Sequence, residues 1–317
     1  MIGISDVWEA KQRISEYVHV TPLVSSENIS SITDTFVYFK CENMQKTGSF
    51  KARGAFNRIL TLSDEQKKQG VCCYSSGNHA QAVCYAAKTL GVKAYVWMPE
   101  TATPSKVEAC RAYGGEITLF GKTGGDCAPL AKEFSEKNGV FYIDPCEDPY
   151  IMAGQGTVGL EIMEVLPNAD TVFCQVGGGG LMSGVATAIK SLSPKTRVIG
   201  VEPETMNCMS NSIHAGKISP IERQYSIADG LAGSAPGPNA FEICSELLDD
   251  IITVSDAEIS RATRLLIERC KLTAEPSGAA ALAGLLSGKA EYGKNVVCMI
   301  SGGNYNKEVL ADILLNY

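Results

Sequence analysis

The sequence predicts an α/β protein of the doubly wound type, and two observations carry this prediction. Segments typical of strands alternate with segments typical of helices along most of the 317 residues, and such alternation produces parallel strands joined by crossover helices. Glycine, proline, serine or threonine stands at nearly every junction, where turns favour these residues. A ligand of such a fold binds where turns leave the carboxyl ends of the strands.

The predicted elements follow one another in a regular order. An amphipathic helix behind a Ser5 or Asp6 cap opens the chain, and a strand at 35–43 leads through a turn into a helix with an apolar face. Residues 205–239 are rich in Gly, Pro, Ser and Asn and predict loops with short helices. The other units are strand–turn–helix at 70–91, 92–114 and 115–139, a helix at 153–166, strand–glycines–helix at 170–192, a strand at 197–204, a strand at 249–256, helices at 256–272 and 275–288, a strand with its turn at 295–306, and a short final helix.

The composition argues against several classes of function. With 45% hydrophobic and 20% charged residues the chain is typical of a globular protein, and no apolar run approaches the roughly 20 residues of a membrane-spanning helix. A net charge of −7 without a basic run argues against a nucleic-acid partner. The N-terminus lacks the pattern of a secretion signal, so we expect a cytoplasmic protein. The 12 scattered cysteines and three histidines predict buried thiols rather than a zinc site.

A run of four glycines at 177–180 follows an apolar strand and opens a helix. Bare glycines let backbone N–H groups converge on an anion at the positive end of a helix, so the run predicts a phosphate cradle. Tight packing of strand against helix is the alternative. Glu202 ends the next strand, where a dinucleotide-binding protein has its ribose-binding acid. However, the G-x-G-x-x-G spacing fails and no GK[ST] motif follows.

Two further turns carry polar residues. The SSGNH turn at 75–79 lies between a strand and a helix and predicts a substrate-binding turn, in which helix N-terminal N–H groups hold a carboxylate. Ordinary capping by Ser75 or Ser76 is an equal alternative. The SGGN turn at 301–304 follows the last strand, and Ser301 either faces a ligand or caps.

Lys51 follows Gly-Ser-Phe at a turn where a helix begins. A lysine on a helix usually faces solvent, but the neighbouring turns favour another interpretation. An amine at the mouth of an α/β sheet, partly desolvated by Phe50 and facing a phosphate cradle, can form a Schiff base with an aldehyde cofactor that carries a phosphate. Pyridoxal 5'-phosphate is that cofactor, and burial lets a neutral amine exist near pH 7.

Six motifs together resemble one known family. KTGSFKARGA, SSGNHAQ, AGQGT, GGGGLMSG, EPSGA and SGGN occur in this order, and they are similar to the motifs of the fold-type II pyridoxal-phosphate enzymes, within them the serine/threonine dehydratase and serine racemase group. The resemblance implies a tryptophan synthase beta-like fold with two open, twisted, mainly parallel sheets and helices on both faces. It also implies a large cofactor-binding domain at 1–68 and 147–317 and a small mobile domain at 69–146.

The resemblance assigns roles to residues of the four turns. Lys51 would carry the cofactor and act as the catalytic base, and Ser76 would be a catalytic hydroxyl on the opposite face. The cofactor-binding residues that it implies are Phe50 and Lys51, Asn78 at the ring oxygen, Gly177, Gly178, Gly179, Gly180 and Leu181 at the phosphate, and Ser301 at the ring nitrogen. The substrate-binding residues that it implies are Ser75, Ser76, Gly77, Asn78 and His79.

The implied activity is that of an ammonia-lyase, which converts L-serine, L-threonine or a related β-hydroxy amino acid to a 2-oxo acid and ammonia. A serine or aspartate racemase with Lys51 and Ser76 on opposite faces is the alternative. A β-replacement synthase and a non-catalytic or nucleotide-binding α/β module also stay open. Many relatives have a histidine where this chain has Asp144, and residues 121–134 contain no arginine that corresponds to the substrate-facing one of animal serine racemases. The substrate is therefore left open.

The group also has a site for a divalent cation, Mg²⁺ or Ca²⁺. It is built from a glutamate, a backbone carbonyl four residues on and an aspartate six residues on, which correspond here to Glu202, Met206 and Cys208. A thiol in place of a carboxylate weakens the case for a hard cation, and Glu202 stays a candidate ligand. The partners that the resemblance implies are a small amino-acid substrate and a second copy of the chain in a homodimer.

Overall fold

The computed structural model describes residues 1–222 and 224–316 and contains two β-sheets surrounded by helices. The strands are β1 (Leu23–Ser25), β2 (Phe36–Cys41), β3 (Val71–Tyr74), β4 (Ala94–Met98), β5 (Glu116–Leu119), β6 (Phe141–Tyr142), β7 (Thr171–Gln175), β8 (Arg197–Pro203), β9 (Asp250–Val254) and β10 (Asn295–Ile300). The helices are α1 (Ile4–Ile14), α2 (Glu27–Thr33), α3 (Lys51–Leu60), α4 (Asp64–Gln69), α5 (Asn78–Thr89), α6 (Pro104–Ala112), α7 (Gly124–Asn138), α8 (Pro149–Val165), α9 (Gly180–Leu192), α10 (Cys208–Ala215), α11 (Pro238–Leu247), α12 (Asp256–Cys270), α13 (Pro276–Ser287) and α14 (Lys307–Asn316). Within these residues, no helix combines the length and the apolar character that crossing a membrane requires.

The first sheet has six strands in the order β1-β2-β10-β7-β8-β9, and the second has four in the order β5-β4-β3-β6. Every strand pair is parallel except β1 with β2. The prediction of two mainly parallel sheets is therefore confirmed. Since the strands are parallel, the turns after β2, β10 and β7 leave the first sheet at one edge, where Ile300 lies opposite Cys41.

The two sheets have separate hydrophobic cores, and α3 lies where they meet. The main core gathers strands of the first sheet with helices α8, α9, α12 and α13. The core of the second sheet also contains Ala52 and Phe56 of α3, and α3 packs against α8 as well. Strands β3 to β6 lie within the range 69–146 that was predicted as a small domain. The boundaries of that domain and its mobility stay a prediction.

Two helix starts differ from the prediction. Helix α8 begins at Pro149 rather than at residue 153, because Asp148 caps it and accepts a bond from the N–H of Tyr150 at 2.8 Å. The cap predicted for the first helix is wrong. Gly3 is the N-cap residue there, and its N–H donates to the Asp6 carboxylate at 2.7 Å.

Helix α8 crosses both α3 and α9 at glycines. A Cβ on Gly154 would lie 2.6 Å from the Cα of Gly54, and a Cβ on Gly184 would lie 2.2 Å from the carbonyl oxygen of Met152. Real Cβ atoms do not approach so closely, so backbone meets backbone at both crossings. The AGQGT motif, with Gly154 and Gly156, therefore determines how far α3 lies from α9.

Replacement of Gly184 by alanine is expected to destabilise the fold, because the new Cβ would collide with the backbone of α8. Overpacking of this kind costs about 1–3 kcal/mol, which urea unfolding measures. Gly125→Ala is the control. Gly125 lies in the exposed first turn of α7, 3.5 Å from the Thr123 hydroxyl, and its alanine variant should unfold at or above the wild-type midpoint. Equal midpoints for the two variants would contradict the argument from the crossing.

Candidate active site

Three of the polar turns form one hydrogen-bonded unit at the edge of the first sheet. The backbone N–H of Phe50 donates to the carbonyl oxygen of Ser301 at 3.1 Å. Asn304 Nδ2 donates to the carbonyl oxygen of Thr47 at 2.7 Å and to Asn78 Oδ1 at 2.8 Å. The turns before α3, before α5 and after β10 are thus bonded to one another. Because the turn before α5 follows β3 of the second sheet, these bonds join the two sheets at the site.

Lys51 is the first residue of α3, and its amine lies within the site. Nζ donates to the carbonyl oxygen of Pro145 at 2.8 Å and lies 5.2 Å from the centre of the Phe50 ring. The side chain is half-buried, and its charge acts on the imidazole of His79 and the thiol of Cys146. The lysine that the sequence indicated is therefore an inward-facing residue.

The glycine run joins β7 to α9 in a conformation suited to an anion. Gly177 and Gly179 have φ angles of +54° and +87°, which residues with side chains rarely adopt. Gly180 is the first residue of α9, a helix of 13 residues, and Leu181 behind it is buried in the main core. The N–H groups here carry the positive end of the helix dipole, so the run fits a phosphate group.

Cys146 packs directly against this cradle. A Cβ on Gly178 would lie 2.5 Å from Cys146 Sγ, and a Cβ on Gly180 would lie 2.9 Å from Cys146 Cα. Tight packing, the alternative reason for glycine, therefore applies to Gly178 and Gly180. The phosphate cradle stays a prediction. Burial raises the pKa of the Cys146 thiol, so a neutral thiol faces the cradle. Because Pro145 accepts the bond from Lys51, the segment 145–146 connects the amine to the cradle.

The SSGNH turn follows β3 and leaves the start of α5 without a side-chain cap. Gly77 is the N-cap residue, while Ser75 Oγ accepts a bond from the Gly77 N–H at 3.1 Å inside the turn. Capping of α5 by Ser75 or Ser76 is therefore wrong. Ser76 is exposed. The first N–H groups of α5 are placed to hold a carboxylate.

Asn78 is oriented by two side chains from distant parts of the chain. Its Nδ2 donates to Glu275 Oε1 at 2.6 Å, and its Oδ1 accepts the bond from Asn304. The amide nitrogen carries a second hydrogen, which can donate to a ligand oxygen. Glu275 belongs to the EPSGA motif, but the sequence analysis gave it no role.

Glu275 lies among further charges that the sequence analysis missed. Burial raises the pKa of Glu275 to about 7, against the opposing effect of the Lys106 charge. Lys106 is buried and pairs with Asp229 at 3.0 Å. A Cβ on Gly77 would lie 3.2 Å from Lys106 Cδ. A single lysine on α6 and an aspartate in a loop carry no local pattern that predicts this meeting.

Two of the predicted site residues, His79 and Ser301, are buried. His79 is only 3% exposed, and its Nε2 lies 3.3 Å from the carbonyl oxygen of Ile143. Burial and the nearby Lys51 charge lower the pKa of His79 to about 3, so it is a neutral, inward-facing side chain. Its predicted role in substrate binding has no support. Ser301 is buried at the end of β10 and meets the site through its backbone bond to Phe50.

Glu202 caps a helix. Its carboxylate accepts bonds from the N–H groups of Met209 at 3.1 Å and Ser210 at 2.8 Å at the start of α10, and burial raises its pKa to about 7. In the part of the chain that the structure describes, no three or more His, Cys, Asp or Glu residues form a group that could hold an ion. The cation predicted at Glu202 therefore gains no support.

Two mainly parallel sheets, an inward-facing amine and a glycine run at the start of a helix fit an enzyme that holds a phosphorylated aldehyde cofactor. The family model described as pyridoxal-phosphate dependent enzyme matches residues 14–302. The chain belongs to this family.

Three individual proteins are similar to this chain over nearly all of its length. The chain is 41% identical over 314 residues to the L-threonine ammonia-lyase of Thermotoga maritima, which covers 99% of this chain and 78% of that protein. It is 43% identical over 309 residues to the catabolic L-threonine dehydratase TdcB of Staphylococcus aureus, covering 96% and 89%. The solved structure of maize serine racemase superposes with a TM-score of 0.94 at 39% identity, covering 98% of this chain and 96% of that one. The resemblance to the dehydratase and racemase group is confirmed.

Replacement of Glu275 by glutamine is expected to weaken the pH dependence of stability. The pKa of the Glu275 carboxyl is about 7 in the folded protein, compared with an ordinary value of 4.5. The folded state therefore binds more protons between these pH values, and the free energy of unfolding falls as pH rises through them. Glutamine does not titrate and keeps an oxygen for Asn78. The difference between the urea midpoints, variant minus wild type, should therefore increase as pH rises from about 4.5 to about 7.

The control for this measurement is Glu291→Gln, whose side chain is 95% exposed. Its urea midpoints should run parallel to those of the wild type across the same pH range. Parallel curves for Glu275→Gln as well would show that the Glu275 carboxyl is not the titrating group.

Proposed function

We propose that this pyridoxal-phosphate dependent enzyme is an ammonia-lyase that converts L-threonine, L-serine or a related β-hydroxy amino acid to a 2-oxo acid and ammonia. The observation that carries the proposal is the placement of the Lys51 amine, which donates a hydrogen bond to the Pro145 carbonyl oxygen. The next residue, Cys146, packs against the glycine run at 177–180. The similarity to two bacterial threonine lyases supports the choice of substrate.

The four turns supply the groups that would hold the cofactor. The N–H groups of Gly177–Gly180 and Leu181 would bind its phosphate, the Asn78 amide its ring oxygen, Phe50 one face of the ring, and Ser301 the ring nitrogen. When bound, pyridoxal phosphate supplies an aldehyde that joins amines and a conjugated ring that takes up an electron pair from the substrate Cα.

Lys51 is proposed as the general base that takes the proton from the substrate Cα. Its partner, the Pro145 carbonyl oxygen, is a neutral acceptor at 2.8 Å. The same carbonyl can accept an N–H bond after the proton has moved to Nζ.

The start of α5 and Ser301 are proposed to orient the substrate and to favour elimination. The N–H groups in the first turn of α5 would hold the substrate carboxylate and orient the Cα hydrogen. A serine hydroxyl at the ring nitrogen would not keep that nitrogen protonated as a carboxylate would, so negative charge at the substrate Cα would be short-lived and prompt loss of the β-hydroxyl is favoured. The Cα proton that Lys51 takes and the departing hydroxyl together make one water. The released enamine hydrolyses in water to the 2-oxo acid and ammonia.

Racemisation on the same site is the second candidate. It needs the same loss of the Cα proton, followed by return of a proton from the other face. The exposed hydroxyl of Ser76, on the turn that precedes α5, favours this candidate, as does the similarity to maize serine racemase. The two outcomes differ in whether protonation outruns elimination.

The homodimer, the mobility of residues 69–146 and the divalent cation stay predictions of the family resemblance, and the cytoplasmic location stays a prediction from the N-terminal sequence. The bonds from Met209 and Ser210 to Glu202 favour a structural role for that carboxylate. The lyase proposal uses none of these features.

Lys51→Ala is expected to lower the rate of 2-oxo acid formation by about 10³-fold or more, because it removes both the base and the attachment point. The wild type is assayed with L-threonine, L-serine and 3-hydroxyaspartate, and borohydride should label Lys51 and bleach the colour. Lys46→Ala, in the same motif, is the control and should keep both properties. Colour and turnover that survive in Lys51→Ala, or a wild type that forms no 2-oxo acid, would defeat the lyase proposal.

Ser76→Ala separates the two candidates. Loss of a proton-transfer group costs about 10²–10⁴-fold, so the variant should lose interconversion of L- and D-serine and keep 2-oxo acid formation. Chiral analysis of the remaining serine alongside an oxo-acid assay measures both rates. Ser76→Thr keeps a hydroxyl and serves as the control. An equal loss of both activities in Ser76→Ala would show that Ser76 does not act on one face alone.

A further inference from the structure

Four charged side chains lie buried together behind the first turn of α3. Arg53 and Glu42 are 0% exposed, Lys40 is 1% exposed and Glu161 is 3% exposed. Lys40 comes from β2, Glu42 from the turn after it, Arg53 from α3 and Glu161 from α8. Two cations and two anions give the cluster a formal charge of zero. The proposed reaction uses none of the four.

The guanidinium of Arg53 is held between the two carboxylates. Nε and Nη2 each donate to Glu42 at 2.8 Å, and Nη1 and Nη2 donate to Glu161 at 2.6 and 2.9 Å. Nη1 also donates to Thr157 Oγ1 at 3.0 Å. Lys40 Nζ donates to Glu161 from the other side. Two such pairs of hydrogen bonds, each a bidentate contact (a fork) with one carboxylate, determine the plane of the guanidinium as well as its position.

Such a cluster is a costly way to stabilise a fold. Removing charges from water carries a large penalty, and apolar side chains of similar size often stabilise a protein as well or better. Burial opposes the charged forms of Glu42 and Arg53, but their pairing still lowers the pKa of Glu42 and raises that of Arg53. Both therefore stay charged. Apolar side chains could not supply hydrogen bonds, which have a fixed direction.

The place of the cluster in the fold indicates what this geometry is for. Arg53 is the third residue of α3 and Lys51 the first, while Glu161 lies on α8, which meets α9 at Gly184. We propose that Arg53 is a positioning residue. Through its forks to Glu42 and Glu161, it holds the first turn of α3, and with it the Lys51 amine, at a fixed distance from the glycine cradle. The inference rests on the proposed role of Lys51.

Arg53→Lys in the holoenzyme tests this inference. Lysine keeps the charge, but one ammonium cannot fork to two carboxylates. A displacement of about 1 Å can cost about 10²-fold in rate, so kcat should fall by about that factor while KM changes by less than about threefold. The visible circular dichroism of the cofactor on Lys51 should weaken too. Arg58→Lys, on the same helix, is the control, because lysine can keep the ion pair with Asp148 at 2.6 Å.

A combined apolar variant separates positioning from stability. Lys40→Met, Glu42→Leu, Arg53→Met and Glu161→Leu together remove every charge of the cluster at similar volume, so the thermal midpoint should stay near or above that of the wild type. Positioning predicts that kcat and the visible circular dichroism fall as in Arg53→Lys. A cluster that only stabilises the fold predicts wild-type values of both.

The proposal is overturned if Arg53→Lys or the apolar variant keeps wild-type kcat and circular dichroism. It is also overturned if neither variant folds, because the cluster is then a requirement of folding. A wild type that binds no pyridoxal phosphate, or that forms no 2-oxo acid, defeats the proposed function instead. That failure is visible before any variant is compared.

Discussion

The distance between the Lys51 amine and the glycine cradle depends on the close crossings of α8 with α3 and α9. At Gly154 and Gly184 the backbones touch, and no side chain is present to adjust the gap. Close packing of this kind changes in steps rather than continuously. A cofactor that bridges an amine and a phosphate site needs a constant span between them. The AGQGT motif therefore serves the chemistry without facing the substrate.

Two titratable side chains next to the Lys51 amine are neutral, whereas paired charges persist behind α3. Near the amine, the pKa of the His79 imidazole is about 3 and that of the Cys146 thiol is raised, so both are neutral at neutral pH. Backbone N–H groups would then be the main partners for an anionic phosphate. Behind α3, by contrast, full charges persist because Arg53 and Glu42 satisfy each other. Neutral side chains do not repel an anion that binds beside them, and the paired charges hold α3 in place.

Sequence patterns located the turns of the site but not the contacts behind them. Lys51 and the glycine run were found because each is a local signal, a residue type at the start of a helix. Ser76 and His79 lie in the same turn, but one is exposed and the other buried. The bond between Asn78 and Glu275 joins residues 197 positions apart. No local pattern carries such a contact, and the same holds for Lys106 with Asp229 and for Cys146 against the glycines.

By itself, the sequence determined the parallel α/β class, the turns that carry the chemistry and the membership of a cofactor-dependent family. These depend on periodicity, turn residues and short motifs, which act within a few residues of chain. Only the tertiary structure decided which side chains face inward, which carboxylates pair or cap, and why Arg53 is buried. These outcomes depend on burial and on partners that distant segments supply, since a buried charge persists only where the fold brings its counter-charge within reach.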